Sequence, residues 1–424
     1  MRDLAVFLFL IGCIFAAFWR PWLGVLALAV FSYMNPHAYA WTFMRSFPAY
    51  QVLFIAAAFA FLTAREKQAL PRDWRVLFFF ALWAYFLITT VNAKVPDPAW
   101  QKLLTVSKIY LPFVFTMWLI DTPKKMHYLI ATIGGSLGIV AAKGGLFALA
   151  TGFSYRTYGP TGTQFGGNNE FAIATLMAIP LLVLWARETP YKWLRQTVYA
   201  VIPLCFASAL ASHSRGAAIA AFVLLLLLLW HGKRKILILP VLAAGLVVGG
   251  QMLPEKWYER MHTIENYQES ASAMSRIRAW KDGVDYALEH PVLGAGFEGW
   301  RYVTYRDWHS SYVEMLAEHG FIAFALWLSI VVGTVFSLTR LLKYSRTEPN
   351  MAWVENYAAM LRASLLVYMV GTLFLGLSYW DILYHIVFIS VLLKQFAYQH
   401  LPQPALELRR AVPEPQRHVD RPVG

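Results

Sequence analysis

Apolar runs of membrane-spanning length recur along almost the whole chain, separated by short loops that hold most of its basic residues. A helix needs about 20 predominantly apolar residues to cross a bilayer. Such stretches lie at roughly 50–63, 75–93, 104–120, 127–152, 170–186, 193–212, 215–231, 235–251, 312–339, 356–378 and 380–397. Segments 4–18 and 22–34, divided by Arg20-Pro21, read as two thin helices or as one crossing broken by the proline. The expected fold is an all-α polytopic membrane protein of about 12 transmembrane helices with one long helical loop on the outer side; that count takes residues 1–35 as a single crossing. A hydrophobic fraction of 58% against 14% charged residues, with mean hydropathy +0.47, excludes a string of soluble domains.

The net charge of +13 is no nucleic-acid signal, because the basic residues cluster between spans. Arg65, Lys67, Arg72 and Arg75 form one cluster, and Lys124 and Lys125 the next. Arg187, Lys192 and Arg195 follow, then Lys233, Arg234 and Lys235, then Arg340, Lys343 and Arg346. Read as cytoplasmic loops, they put 94–103, 153–169, 212–214, 251–311 and the turn at 379 on the outer face. Cys13 and Cys205 lie in apolar segments and mark neither a disulfide framework nor a metal site. No small-residue cleavage site follows Leu4–Phe18, so this segment is read as retained. The expected organisation is N-terminal helices over 1–250, a catalytic loop at 251–311, C-terminal helices over 312–398, and a disordered inner tail at 399–424.

The polar residues concentrate in MSRIRAW (Met274–Trp280), HPVLGAGF (His290–Phe297) and HSSYVEMLAEHG (His309–Gly320). Ahead of them, Ser214 can cap a helix whose first turn holds Arg215. A cation set against the helix dipole beside Gly216 points to a bound anion, the alternative being an arginine snorkelling to headgroups. On a helical wheel Ile277, Trp280, Val284 and Leu288 form an apolar face expected to rest on the membrane helices. Arg278 falls among Asp282, Asp285 and Glu289 and is expected to pair with them. Arg276 lies at the edge of the apolar face, which makes it the better ligand candidate; interfacial packing is the alternative.

Gly294, Gly296 and Gly299, following the helix-ending His290-Pro291, let the backbone approach something closely. A phosphate cradle there would lack both the preceding strand and the P-loop spacing. His309, at the mouth of the next span, has the near-neutral titration of a general base. Tyr312, Glu314 and Glu318 carry polarity into that span, where a carboxylate needs a partner or a cavity. The stretch Tyr155–Glu170 suits sugar contact or is a plain loop, and Trp380 and Asp381 read as an aromatic belt anchor. There is no Walker motif, metal-spaced His/Cys cluster or Asp-x-Asp pair. A transferase of this kind would therefore take a pre-activated substrate and stabilise leaving charge with arginine, with no cofactor or metal.

Ser214-Arg215-Gly216, Arg276 with Trp280, His290-Pro291-x-x-Gly294-x-Gly296, and His309 with Glu318 and Gly320 occur in an order that resembles the O-antigen ligase superfamily. The resemblance spans roughly 205–325; where that family often has Asn after the loop histidine, this chain has Ser310. Met34-Asn35-Pro36-His37 is similar to a branch of O-glycosylation ligases linked to exopolysaccharide systems. The resemblance implies a GT-C-like, inverting, metal-independent glycosyltransferase of the bacterial inner membrane with a periplasmic site. It would move polysaccharide from undecaprenyl pyrophosphate to a sugar hydroxyl of lipid A–core, with membrane lipids around it. Arg215 and Arg276 would hold the pyrophosphate, His309 would be the base, and Arg278, Ser214, Gly294, Gly296, Glu318 and Tyr312 would support them. A protein O-oligosaccharyltransferase or an O-antigen polymerase would use the same donor. A lipid-linked glycan transporter would instead carry its charges at mid-membrane depth.

Overall fold

A computed structural model describes residues 1–65, 67–231 and 271–399. The expected span at 235–251, the loop segment 251–270 and the tail from 400 lie outside the described residues. All regular structure among the described residues is helical. The first half runs α1 (Arg2–Trp19), α2 (Pro21–Tyr33), α3 (Phe43–Ser46), α4 (Ala49–Thr63), α5 (Trp74–Val91), α6 (Pro96–Leu119) and α7 (Pro123–Ala150). Next come α8 (Asn168–Glu188), α9 (Lys192–Leu210) and α10 (Arg215–His231). The rest is α11 (Ala271–Glu289), α12 (Trp300–Val303), α13 (Ser311–Thr347), α14 (Val354–Gly371) and α15 (Asp381–Gln399). Among the described residues, eight helices are long and apolar enough to cross a membrane, and α2, α4 and α10 are shorter apolar helices. The chain is a polytopic membrane protein.

The first pair is two helices. Arg20 is extended (φ −142°), and Pro21 starts α2 where its missing N–H costs nothing. Phe9 stacks on Phe31 at 5.8 Å, positions equally distant from Arg20, so α1 and α2 form an antiparallel hairpin. Residues 3 and 35 thus lie at the same end of the bundle, and the single-crossing reading of residues 1–35 does not hold.

That end gathers the polar loops. Asn35 donates to the Thr161 carbonyl, Thr157 N–H to Ala211, Asn168 to Ser212, Lys94 N–H to Ala295, and Ser311 N–H to Thr372. The opposite end carries the buried Arg75, whose guanidinium donates to Asp73 at 2.8 Å while Lys394 reaches the same carboxylate.

The span expected at 312–339 is the 37-residue α13, and it leaves the helical path at Gly320 (φ +73°, ψ −176°). The break frees backbone groups that a bilayer cannot satisfy. The Pro291–Gly296 loop satisfies them: Ala295 N–H donates to Ala317 O at 2.9 Å, Gly296 N–H to Glu318 O at 2.7 Å, and Phe321 N–H to Pro291 O at 2.8 Å. The span expected at 356–378 ends earlier, at Gly371, because the chain beyond it pairs with α13. Ser311 Oγ donates to Leu375 O and accepts from Leu377 N–H, and Glu314 accepts from both Ser378 N–H and Ser378 Oγ.

The Gly320 backbone conformation is one that side chains essentially never adopt, at a cost of about 1–3 kcal/mol. A Cβ there would also overlap the carbonyl oxygens of Pro291 and Val292. Gly320→Ala is therefore expected to lower the thermal unfolding temperature in detergent. Unfolding together with the wild type would mean that the break relaxes without loss.

Candidate active site

The Arg215 turn is built by small polar residues. Ser214 Oγ accepts from Ala217 N–H at 3.3 Å and so caps α10, as expected from the sequence. Ser212 Oγ accepts from Ser214 N–H, while His213 takes a left-handed backbone (φ 54°) and its Nε2 lies 3.0 Å from Phe153 O. Phe153, Thr157 and Asn168 thus clamp this turn, which gives part of the 155–170 loop a structural role.

On α11 the buried face differs from the one the wheel selected. Ile277, Val284 and Leu288 are 39%, 37% and 64% exposed, whereas Ala279 and Ala287 are buried. A Cβ on Gly283 would stand 2.7 Å from the Trp308 ring and 2.8 Å from Val313, so the small face is what lets α11 close on α13. Arg276 and Trp280 share that face at about 100° per residue, and Arg278 points away. Arg276 is half-buried and Arg278 exposed, as expected, but small residues rather than large apolar ones orient them. No ion pair joins Arg278 to Asp282, Asp285 or Glu289 among the described residues; Asp282 accepts from Thr304 instead.

Trp280 draws the candidates together. Its ring lies 6.2 Å from that of Phe374, which packs against Gly216 beside Arg215. Its Nε1 donates to Trp308 O at 2.7 Å, next to His309. Trp308 is fully buried and donates from Nε1 to Glu318 Oε1 at 3.3 Å, and Tyr379 donates to Glu318 Oε2 at 2.8 Å. Tyr379 also meets His319 at 2.9 Å, whose other nitrogen lies 2.7 Å from Thr89 Oγ1. Glu318 therefore positions Trp308, and through it His309. Arg215 and Arg276 are both partnered within the structure.

His309 is in the left-handed region (φ 47°), and its Nδ1 lies 3.6 Å from Asp307 Oδ2. Burial raises the Asp307 carboxyl, but the neighbouring His309 side chain and backbone, with the charge of Lys102, outweigh it and hold the group below the ordinary carboxylate range. At 3.6 Å the pair is an ion-pair contact, longer than a hydrogen bond. Asp307 carried no motif of its own in the sequence.

Other expected residues have structural roles. Gly294 and Gly296 (φ +60° and +79°) press the loop onto α13 at Ala317–Glu318 and onto Ala93 after α5, so the partner they approach is protein. Tyr312 donates to Met369 O and packs on Trp327, facing α14. Trp380 and Asp381 are buried, with Ser32 donating to Asp381, and form no surface belt. Lys102, within α6, pairs with Glu298 at 3.4 Å; sequence reading missed both residues because their contact spans about 200 positions.

Residues 199–328 match the family model described as O-antigen ligase. The match covers about a third of the chain. The matched segment runs from α9 past Gly320 and so contains Arg215, Arg276, His309, Glu318 and the paired break. Residues 1–190 match a family of unknown function, and that segment supplies Thr89, Lys102 and the 153–168 clamp. Comparison with curated proteins gave no match.

Removing the Glu318 carboxylate leaves Trp308 Nε1 and the Tyr379 hydroxyl short of a buried acceptor, at about 1–3 kcal/mol for each group. Glu318→Leu is expected to unfold at clearly lower temperature than Glu318→Gln, which retains an acceptor oxygen. Equal unfolding temperatures would remove the positioning role.

Proposed function

We propose that the chain is an O-antigen ligase in the strict sense. It transfers polysaccharide from undecaprenyl pyrophosphate to a sugar hydroxyl of lipid A–core, at the periplasmic face of the bacterial inner membrane. What carries this reading is the meeting, around Trp280, of the Arg215 helix start, the Arg276 face of α11 and the His309 turn within the segment that matches the O-antigen ligase model.

The chemistry follows from the groups. Arg215 and Arg276 hold the pyrophosphate by charge-assisted hydrogen bonds and neutralise charge that grows as the glycosidic bond breaks. Two guanidinium groups supply the neutralisation that a metal would otherwise give. His309, oriented by Asp307, takes the proton of the acceptor hydroxyl as its oxygen attacks the anomeric carbon. The C–O bond to the pyrophosphate breaks with its electron pair on the departing phosphate oxygen, and the anomeric centre inverts. Strained backbone at His213 and His309 fits a site whose geometry is set by its surroundings.

The test is transfer by purified protein reconstituted with lipid-linked polysaccharide and lipid A–core, in EDTA without ATP. Wild type is expected to give a product ladder. His309→Ala is expected to lower kcat by roughly 10²–10⁴-fold, the usual worth of a general base. Arg215→Ala and Arg276→Ala are expected to abolish the ladder. A wild type that leaves lipid A–core unmodified with its cognate donor would refute the ligase assignment, and full activity in His309→Ala would refute the base.

A milder change tests the orienter. Asp307→Asn keeps the shape but loses the charge, and is expected to lower kcat about tenfold or more with the donor KM unchanged. An unchanged kcat would leave Asp307 without a part in the reaction.

A further inference from the structure

A cavity of about 380 Å³, lined by neither His309 nor the two arginines, opens between α6, α8, α13 and the turn after α14. This volume is within the range of small-molecule sites. Its polar wall is Lys102, Gln164, Glu170 and Glu314, and Tyr379 and Trp380 close one side. Glu314 is in the first turn of α13, its N–H donating to Ser310 O, so the cavity begins one helical turn from His309. Glu314 is only 7% exposed, and both of its hydrogen bonds, from Ser378 N–H and Ser378 Oγ, fall on Oε2. Oε1 has no hydrogen-bond donor among the described residues and lies on the cavity wall near Gly376. An oxygen that opens onto a cavity can accept a hydrogen bond from whatever fills it.

The cavity does not end there. Thr105, Ile109, Thr163 and Gln164 also line a second space of about 560 Å³, which runs between α2, α4 and α6. Its surface is mainly apolar, from groups such as Val25, Leu28, Phe54, Ile55 and Pro112, with Lys108, Asp381 and His385 also on the wall. Ile55 is 67% exposed on the outer surface of α4, where the bundle meets lipid. A polar chamber leading into an apolar cleft fits an amphiphile.

We infer that this chamber is the acceptor site: it holds a hydroxyl-bearing sugar of a membrane-anchored glycan, whose lipid lies in the apolar cleft. The assignment of the occupant as acceptor rests on the ligase reading above. A sugar ring matches the wall because each hydroxyl both donates and accepts. Hydroxyls donate to Glu314 Oε1 and Glu170, and they accept from the Lys102 ammonium and the Gln164 amide. The wall is assembled from two sources. Lys102, Gln164 and Glu170 belong to the segment that matches a family of unknown function, and Glu314 belongs to the segment that matches the ligase model. The N-terminal segment therefore sets which acceptor is taken, while the ligase-like segment holds the donor.

The experiment is titration of the full-length protein in detergent with three probes: lipid A–core, the same core oligosaccharide freed of lipid, and undecaprenyl pyrophosphate. Glu314→Gln keeps an acceptor oxygen for Ser378, removes the charge and replaces the cavity-facing acceptor oxygen by an NH2 donor. It is expected to weaken both core probes by about tenfold or more, the worth of a hydrogen bond to a charged group. The pyrophosphate should bind as in wild type. Gln164→Ala, which touches neither Ser378 nor Glu314, is expected to shift the same two probes and serves if Glu314→Gln does not fold. Freeing the core from lipid should weaken binding to wild type as well. Unchanged binding of both core probes in both variants would overturn the inference, as would a loss confined to the pyrophosphate. A wild type that does not bind lipid A–core would overturn it too. Binding that follows this pattern without product transfer would instead sink the ligase reading and leave the sugar site standing.

Discussion

A membrane helix that departs from its helical path must find partners for the backbone groups it releases, and at Gly320 they come from the loop itself. Three hydrogen bonds from and to Pro291, Ala295 and Gly296 close the gap. The same bonds fix the start of the loop to α13, whose first residues follow His309 directly. The break therefore does two things. It anchors the return of the chain from α11, and it holds the His319 ring between Thr89 and Tyr379. Everything on the site side of α13 depends on this one irregularity being paired.

Around that anchor the site is a polar network in apolar surroundings. Trp280, Trp308, Glu318 and Tyr379 are linked by hydrogen bonds from the loop helix to the turn before α15. Such networks specify geometry strongly when every member is satisfied, because each unpaired group would be costly. Among the described residues, the non-glycine positions with left-handed backbone are Asn35, Phe153, His213, Glu298 and His309, all on loops at this end. Strain held at several converging loops is the mark of a site whose surroundings over-determine it. Both matched segments contribute residues at this end: 199–328 includes Arg215, Arg276 and His309, and 1–190 includes Lys102 and the residues that clamp the Arg215 turn.

The helices were legible because burial in lipid demands long apolar runs, and most of the expected spans match helices to within a few residues. Alternating basic loops placed 153–169, 212–214 and 251–311 at one end, and the described parts of these segments do meet there. The α1–α2 pair was ambiguous because a proline after a single residue permits either a kink or a hairpin; the Phe9–Phe31 stack decides it. The wheel on α11 named Arg276 as the inward arginine but for the wrong face. Large apolar residues mark a buried face only where there is room for them, and here Trp308 fills the space above Gly283.

The sequence by itself determined that the chain is a helical membrane protein and that its polar residues gather at one end, while the resemblance to a known family is what joined Arg215, Arg276 and His309 in one pattern. The first two follow from the period of the helix, the thickness of a bilayer and the chemistry of side-chain types, all of which are local. Only the tertiary structure decided that Glu318 supports Trp308, that Lys102 faces Glu298, and that Glu314 turns an unpaired oxygen to a cavity. Such facts depend on which distant segments touch, and no local rule of spacing encodes a contact between residues 102 and 298.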